Sequence, residues 1–375
     1  MVDVLSKLTI IIITYNRQPY AIRNMQFWSN KSAKVIVIDG SDDSLNSQIL
    51  STLNSNIAYI HKVAPFNERV LLSTELITTP YAMLCCDDDF MLPSGIIECI
   101  KFLESNSDYS ACNGRIIGFE PKEDGLRIWP EKAHHQNHIV NQNSFNERIK
   151  YHLENFNITT IYGVHRRESL IYCLKFSSNY RYSSPYVFET LFELFSARFG
   201  KLFVLPFPTR LSSQENMPIS NDDWNRNVYI SDWYDDSSNA EEVLIYYDNA
   251  LIALNSLDNN ADKKINERII LKATEVRMDI SRRHKERMLM VSKINSIGWL
   301  RYTGLFRMFR LLYRLMLFKG TDYKDDYFYS KSKYKFNQLK VEHSINISSS
   351  AEKELKEIFN TVLDFRADRS LPAGN

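Results

Sequence analysis

The stretch Tyr81-Ala82-Met83-Leu84-Cys85-Cys86-Asp87-Asp88-Asp89-Phe90-Met91-Leu92-Pro93 organises the rest of the chain. An apolar run ends abruptly in three adjacent carboxylates, followed by an apolar turn and a proline. Residues 81–86 read as a buried strand. Three aspartates at the end of such a strand repel one another if all are buried and ionised, so something must compensate. A hard divalent cation is one answer, because oxygen ligands suit magnesium or manganese. A solvated acidic turn is the other, and the stretch alone does not decide between them.

Upstream, residues 8–14 (LTIIIIT) form a continuous β-branched run, the mark of a strand buried on both faces of a parallel sheet. It ends in Tyr15-Asn16-Arg17, and Pro19 opens a helix to about residue 29. Residues 34–38 (KVIVI) predict a second buried strand, ending in Asp39-Gly40-Ser41. Residues 57–61 predict a short third strand, and 68–77 have helical spacing. This alternation predicts an α/β fold, Rossmann-like, with a mostly parallel sheet flanked by helices. In open α/β sheets ligands bind beyond the carboxyl ends of the strands. The ends carrying Thr14, Tyr15 and Asn16, then Asp39, then Asp87 to Asp89 are therefore expected to meet in one crevice.

Composition narrows the function classes. The chain has 375 residues, 44% apolar and 24% charged, which is ordinary for a folded protein of one or two domains. A net charge of +1 supplies no global field for nucleic acid. Five cysteines without metal-type pair spacing predict reduced thiols and a cytoplasmic location. No basic segment followed by an apolar core opens the chain, and no uncharged run is long enough to span a bilayer.

TIIIITYNR, VIVIDGSDDS and the Asp-rich strand end followed by a proline, in this order, resemble family 2 glycosyltransferases with the GT-A fold, over about residues 8–215. The nearest flavour is a bacterial subgroup with a DDD stretch, active in surface polysaccharide synthesis such as lipopolysaccharide or capsule. The resemblance implies that Thr14, Tyr15 and Arg17 touch the nucleotide of a nucleotide-sugar donor. Asp39, the one survivor of the family's paired aspartates after the second strand, would hydrogen-bond the donor base, and Arg69 would lie near the diphosphate. The family's Asp-x-Asp-Asp precedes a proline by four residues. Counting back from Pro93 places its last positions on Asp88 and Asp89 and its first on Cys86, which cannot do a carboxylate's work. Asp87 then substitutes near the ribose, with Asp88 as metal ligand and Asp89 on the metal or positioning the site. The implied cofactor is Mn2+ or Mg2+, neutralising the departing diphosphate.

Farther on, residues 94–104 predict a helix and 113–119 a strand. Residues 120–145 read as a polar loop in which His134, His135 and His138 lack the flanking residues of a metal site. Residues 159–165 predict a strand, with His165 either a third metal ligand or an ordinary strand-end histidine. Residues 185–194 open an apolar helix, where the resembling family carries its general base. Glu189, in the first turn, is favoured there by the helix dipole and by nearness to the crevice. Glu193, one turn on and on the same face, is the alternate. Residues 202–205 predict a last strand, and 206–216 a flexible closing loop in which Arg210 meets either phosphate or solvent.

From about residue 237 the pattern becomes helical, over 241–257 and 266–295, giving an α-helical appendage. The expected organisation is a catalytic domain at 1–236, a helical region at 237–320 and a C-terminal extension at 321–375, loosely ordered over 321–346, with a short helix at 351–364. Within 298–319 the only charges are positive, and Arg307, Arg310 and Arg314 share one helical face. Two readings stand: an interfacial helix on an anionic membrane surface, or a helix packed on the catalytic domain. The reading as a whole is an inverting, metal-dependent transferase that moves a sugar to a glycan or lipid-linked hydroxyl, cytoplasmic or peripheral on the membrane. The alternative is a non-catalytic, GT-A-like scaffold subunit. A nucleotidyltransferase is disfavoured, since no Gly-rich loop follows the first strand.

Overall fold

The computed structural model describes residues 3–122, 125–130, 138–154, 160–216, 229–256, 263–296, 327–329 and 345–367. It begins with β1 (Leu8–Thr14), α1 (Gln18–Trp28), β2 (Lys34–Asp39), α2 (Ser47–Leu50), β3 (Ile57–His61), α3 (Phe66–Leu76) and β4 (Tyr81–Cys85). The four strands pair in parallel in the order β3-β2-β1-β4. The β-branched runs form the centre because both their faces are covered. Ile10 and Ile12 enter one buried cluster and Ile11 the other, as the two-residue period of a strand requires.

The sheet then turns mixed. β5 (Phe90–Met91), α4 (Pro93–Ser105), β6 (Tyr109–Lys122), β7 (Gly125–Pro130), α5 (Phe145–Glu154), β8 (Val164–Arg166), α6 (Arg167–Ser177), α7 (Pro185–Phe199) and β9 (Lys201–Ser213) follow. β8 runs antiparallel to β4 and β6, β7 antiparallel to β6, and β9 parallel to β6 and antiparallel to β5. The expected α/β class, a central sheet flanked by helices with a helical C-terminal part, is what the structure shows.

Several local expectations are corrected. Residues 206–213 belong to β9 rather than to a loop. Pro206 and Pro208 disguise the strand, but the β6–β9 register shifts between Asn113 and Arg115, so the missing N–H groups fall in a bulged stretch. Gly114 sits at that bulge, where a Cβ would lie 2.2 Å from the Phe207 carbonyl oxygen. Part of the polar segment 120–145 is strand β7. The strand expected over 159–165 is a turn at 160–163 leading into the short β8.

α8 (Ile230–Asp235), α9 (Ala240–Ser256) and α10 (Lys263–Ser296) have no core of their own among the described residues. Tyr246, Ala250, Leu254, Ile270, Ala273 and Met278 join the cluster that contains α6 and α7. A strand does return near the C-terminus, β10 (Tyr327–Tyr329), antiparallel to β7. The last helix, α11 (Ser349–Ala367), buries Leu355, Ile358, Phe359 and Val362 in the opposite cluster with α1 and α4. Glu354 accepts hydrogen bonds from the Ser94 backbone N (3.0 Å) and Oγ (2.7 Å), capping the start of α4. The basic segment 298–319, with Arg307, Arg310 and Arg314, lies outside the described residues, as do His134 and His135. No described helix is long and apolar enough to cross a membrane.

Candidate active site

The carboxyl ends of β1, β2 and β4 converge, and Thr14, Asp39 and Asp87 to Asp89 gather there, all buried. The chain leaves β1 through Asn16, which adopts φ 53, a left-handed value that asparagine tolerates better than most residues. Its N–H bonds Ser41 Oγ at 2.9 Å, tying the β1 turn to the β2 turn.

Each aspartate has a cationic or polar partner. Asp87 accepts from Thr14 Oγ1 at 2.8 Å and pairs with Arg17 at 3.2 Å. Asp88 Oδ2 takes Arg17 Nη2 and Asn216 Nδ2, the latter at 3.0 Å. Asp89 Oδ2 takes Arg210 Nε at 2.6 Å and Nη2 at 2.5 Å, while its Oδ1 takes the Ser213 backbone N at 2.8 Å. Burial raises the pKa of Asp87 to about 7 against the opposing pull of Arg17. Burial likewise raises Asp89, with Arg210 opposing. Burial pulls Arg17 down, but Asp87 and Asp88 outweigh it and hold the guanidinium above its ordinary value. Arginine thus answers much of the charge problem posed by the triplet.

The backbone of the acidic turn is fastened from α1. Asn24 Nδ2 donates to the Asp89 carbonyl at 2.8 Å and to the Cys86 carbonyl at 3.2 Å. Arg23 Nη2 donates to the Asp88 carbonyl at 2.9 Å and to Glu215 Oε2 at 2.8 Å. The Arg23 guanidinium also faces the rings of Tyr20, Phe90 and Phe365 at 4.7–5.1 Å. These two residues were not singled out in the sequence. Their signal was present, because Asn24 interrupts the apolar α1 stripe of Ala21, Met25 and Trp28.

Asp39 is fully occupied. Its Oδ1 takes Ser41 N (2.9 Å) and Oγ (2.6 Å), and its Oδ2 takes Gln18 Nε2 (2.7 Å) and Tyr59 OH (2.7 Å). Arg69 is also in the interior, at 0% exposure. It donates to the Thr14 carbonyl at 2.6 Å and the Ala64 carbonyl at 2.9 Å, and its guanidinium lies 5.6 Å from the Tyr15 ring centroid. Arg69 therefore braces the end of β1 from the interior. It also explains Gly40, where a Cβ would come within 2.6 Å of Arg69 Nε.

Among the described residues no group of three or more His, Cys, Asp or Glu side chains is arranged to hold a metal. Both Asp89 oxygens are engaged by protein donors, so it does not fit as a ligand in this arrangement. Asp88 Oδ1 has no partner among the described residues and does fit a cation that takes its remaining ligands from phosphate and water. His165 is elsewhere: its Nε2 lies 2.7 Å from the Thr160 carbonyl, and burial lowers its pKa to about 4.

The two candidate bases on α7 differ. Glu193 is completely buried and accepts from His152 Nε2 (2.8 Å), Thr160 N (3.1 Å), Thr160 Oγ1 and Ile161 N (3.2 Å). His138 extends this network, with its Nε2 2.6 Å from His152 Nδ1. Glu189 is partly exposed, and its Oε2 has no hydrogen-bond partner among the described residues. Burial raises its pKa to about 7; Arg277 and Arg210 oppose that rise and Glu193 adds to it. Arg210 couples the acidic turn to α7 electrostatically, since it binds Asp89, lies 3.8 Å over the Tyr162 ring and acts on Glu189.

No protein-family model and no curated protein matches the chain. Among solved structures it is similar to S. aureus TarS 1-349 in complex with UDP-GlcNAc, at 14% identity and a TM-score of 0.49, over 75% of each chain. The corresponding complex with UDP is similar at 12% identity and a TM-score of 0.45, covering 97% of this chain and 92% of that one. These likenesses are distant and assign neither ligand nor reaction to this chain.

Proposed function

We propose that the protein is a GT-A-type glycosyltransferase that moves a sugar from a nucleotide-sugar donor to a hydroxyl group with inversion. The observation that carries this reading is Arg210, which binds Asp89 of the acidic turn and also acts electrostatically on Glu189. Asp87 to Asp89 are ordered by arginine at the carboxyl ends of parallel strands. Glu189, linked to them electrostatically through Arg210, keeps an oxygen unpartnered among the described residues.

The donor diphosphate would lie over the β1 and β4 ends. Arg17 is already there, and a diphosphate offers it stronger acceptors than its present carboxylates. Asp88 Oδ1 would receive Mn2+ or Mg2+ once Arg17 turns to phosphate. Such a cation, when bound, lowers the cost of charge on the departing diphosphate. The nucleoside would extend over Thr14, Tyr15 and Asp87 toward Asp39, where Gln18 is the half-buried side chain that a base would displace. Glu189 takes the proton of the acceptor hydroxyl as its oxygen forms a bond to the anomeric carbon. The bond to the leaving oxygen breaks on the opposite face, and its electron pair departs with the nucleoside diphosphate.

A basic run at 298–319 favours an acceptor carried on an anionic lipid surface, in keeping with surface polysaccharide synthesis. The test of the reading is thermal stabilisation by a panel of UDP- and GDP-sugars with and without Mn2+, UDP-GlcNAc first. Ligand binding raises the melting temperature by mass action. Stabilisation by a nucleotide-sugar that EDTA weakens supports the reading. A non-catalytic scaffold would show no release of nucleoside diphosphate from any donor it binds.

A further inference from the structure

The helices after residue 237 reach the candidate base. Arg277 lies on α10, eighty-eight positions beyond Glu189 in sequence, yet it is only 8% exposed. Its Nε donates to Thr190 Oγ1 at 3.2 Å, which brings the guanidinium alongside the first turns of α7. Thr190 is itself anchored, since its Oγ1 donates to the Tyr186 carbonyl at 2.7 Å.

A guanidinium withdrawn from water needs anionic partners. Of the acidic groups that act on Arg277, Glu189 has the largest effect and Glu193 a smaller one. Glu193 is already committed to His152, Thr160 and Ile161. Glu189, next to Thr190 in sequence, is therefore the uncommitted carboxylate of the two on α7. The titratable and charged groups facing Glu189 are Arg277 from α10, Arg210 from β9, Glu193 and Tyr186 from its own helix, and Tyr162 from the turn before β8. Arg210 is neutralised largely by Asp89, with which it makes two bonds.

We propose that Arg277 is a positioning residue of the active centre: its cation, moored to Thr190, holds Glu189 at the crevice wall in a proton-accepting state. The proposal rests on Glu189 being the base. The α-helical region is then a working part of the site, because it supplies a charge that opposes the effect of burial on the carboxyl.

The test is the titration of Glu189 itself, followed in ligand-free protein by 13C NMR of labelled glutamate Cδ, the resonance being assigned by its absence in Glu189→Gln. In Arg277→Gln the midpoint should rise by about one pH unit or more, as for loss of a neighbouring opposite charge. Arg277→Lys should stay near the wild-type midpoint. Thr190→Val, which removes the mooring and leaves the cation, should move it part of the way and serves if Arg277→Gln does not fold. An unmoved midpoint in a folded Arg277→Gln, or in Thr190→Val if that variant alone folds, overturns the proposal. Undiminished turnover in Glu189→Gln, by contrast, overturns the base assignment while leaving the measured coupling intact.

Discussion

Glu189 and Glu193 lie one turn apart on the same face of α7 and meet opposite surroundings. Glu193 accepts four hydrogen bonds and is sealed from water, whereas Glu189 Oε2 is sealed without a partner among the described residues. Glu193 fastens Thr160 and Ile161, and so sets Tyr162, whose ring lies under Arg210. Replacing it by Gln turns an acceptor oxygen into a donor facing Thr160 Oγ1 and His152. Glu193→Gln is expected to lose about 1–3 kcal/mol in denaturant unfolding, while Glu189→Gln keeps wild-type stability or gains.

The raised pKa of Glu189 fixes the sign of two pH dependences. Its folded value of about 7 lies above the ordinary 4.5, so the native state binds the proton more tightly than the unfolded chain. Its contribution to stability is full below about pH 4.5 and is lost as pH rises through 7. Asp87, also raised to about 7, acts in the same direction, so the difference between wild type and Glu189→Gln isolates the glutamate. Melts from pH 4.5 to 8 should show the advantage of Glu189→Gln growing with pH. Since the base must be ionised to work, kcat/KM should fall about tenfold per unit below pH 7.

Asp88 keeps one oxygen without a partner among the described residues, whereas Asp89 is held by Arg210 and Ser213. Asp88→Asn should fold normally and weaken Mn2+-supported donor binding about tenfold or more, measured by calorimetry. Asp89→Asn should instead loosen β9, because it breaks the pair with Arg210, and should lower the melting temperature.

The C-terminal helix supports the site from outside. Glu354 caps α4 through Ser94, and Phe365 lies over Arg23, which holds the Asp88 carbonyl. Glu354→Ala should cost about 1 kcal/mol, as loss of a helix cap does. Phe365→Ala should reduce donor affinity as well as stability. Unchanged donor affinity would show that α11 does not reach the acidic turn.

Much of this was legible in the sequence, and the reasons are local. β1 and β2 announced themselves because strands covered on both faces are apolar throughout. The acidic strand end was legible because carboxylates seldom follow a buried run without purpose. β9 was read as a loop because Pro206 and Pro208 speak against a strand, and only the bulge opposite Gly114 accommodates them. The fate of Arg69 was hidden because its carbonyl partners, Thr14 and Ala64, come from separate segments. Arg277 was indistinguishable from its neighbours on a highly charged helix, since packing alone decides which arginine turns inward. Helical periodicity placed Glu189 and Glu193 on one face and left their roles undecided.

The most direct test of the central claim is turnover of a bound nucleotide-sugar by wild type and Glu189→Gln, with the anomeric configuration of the product read by NMR. The account expects wild-type release of nucleoside diphosphate with inversion. It also expects a loss on the order of 10²–10⁴-fold in Glu189→Gln, with donor affinity nearly unchanged. Retained configuration, or undiminished turnover in Glu189→Gln, would contradict it.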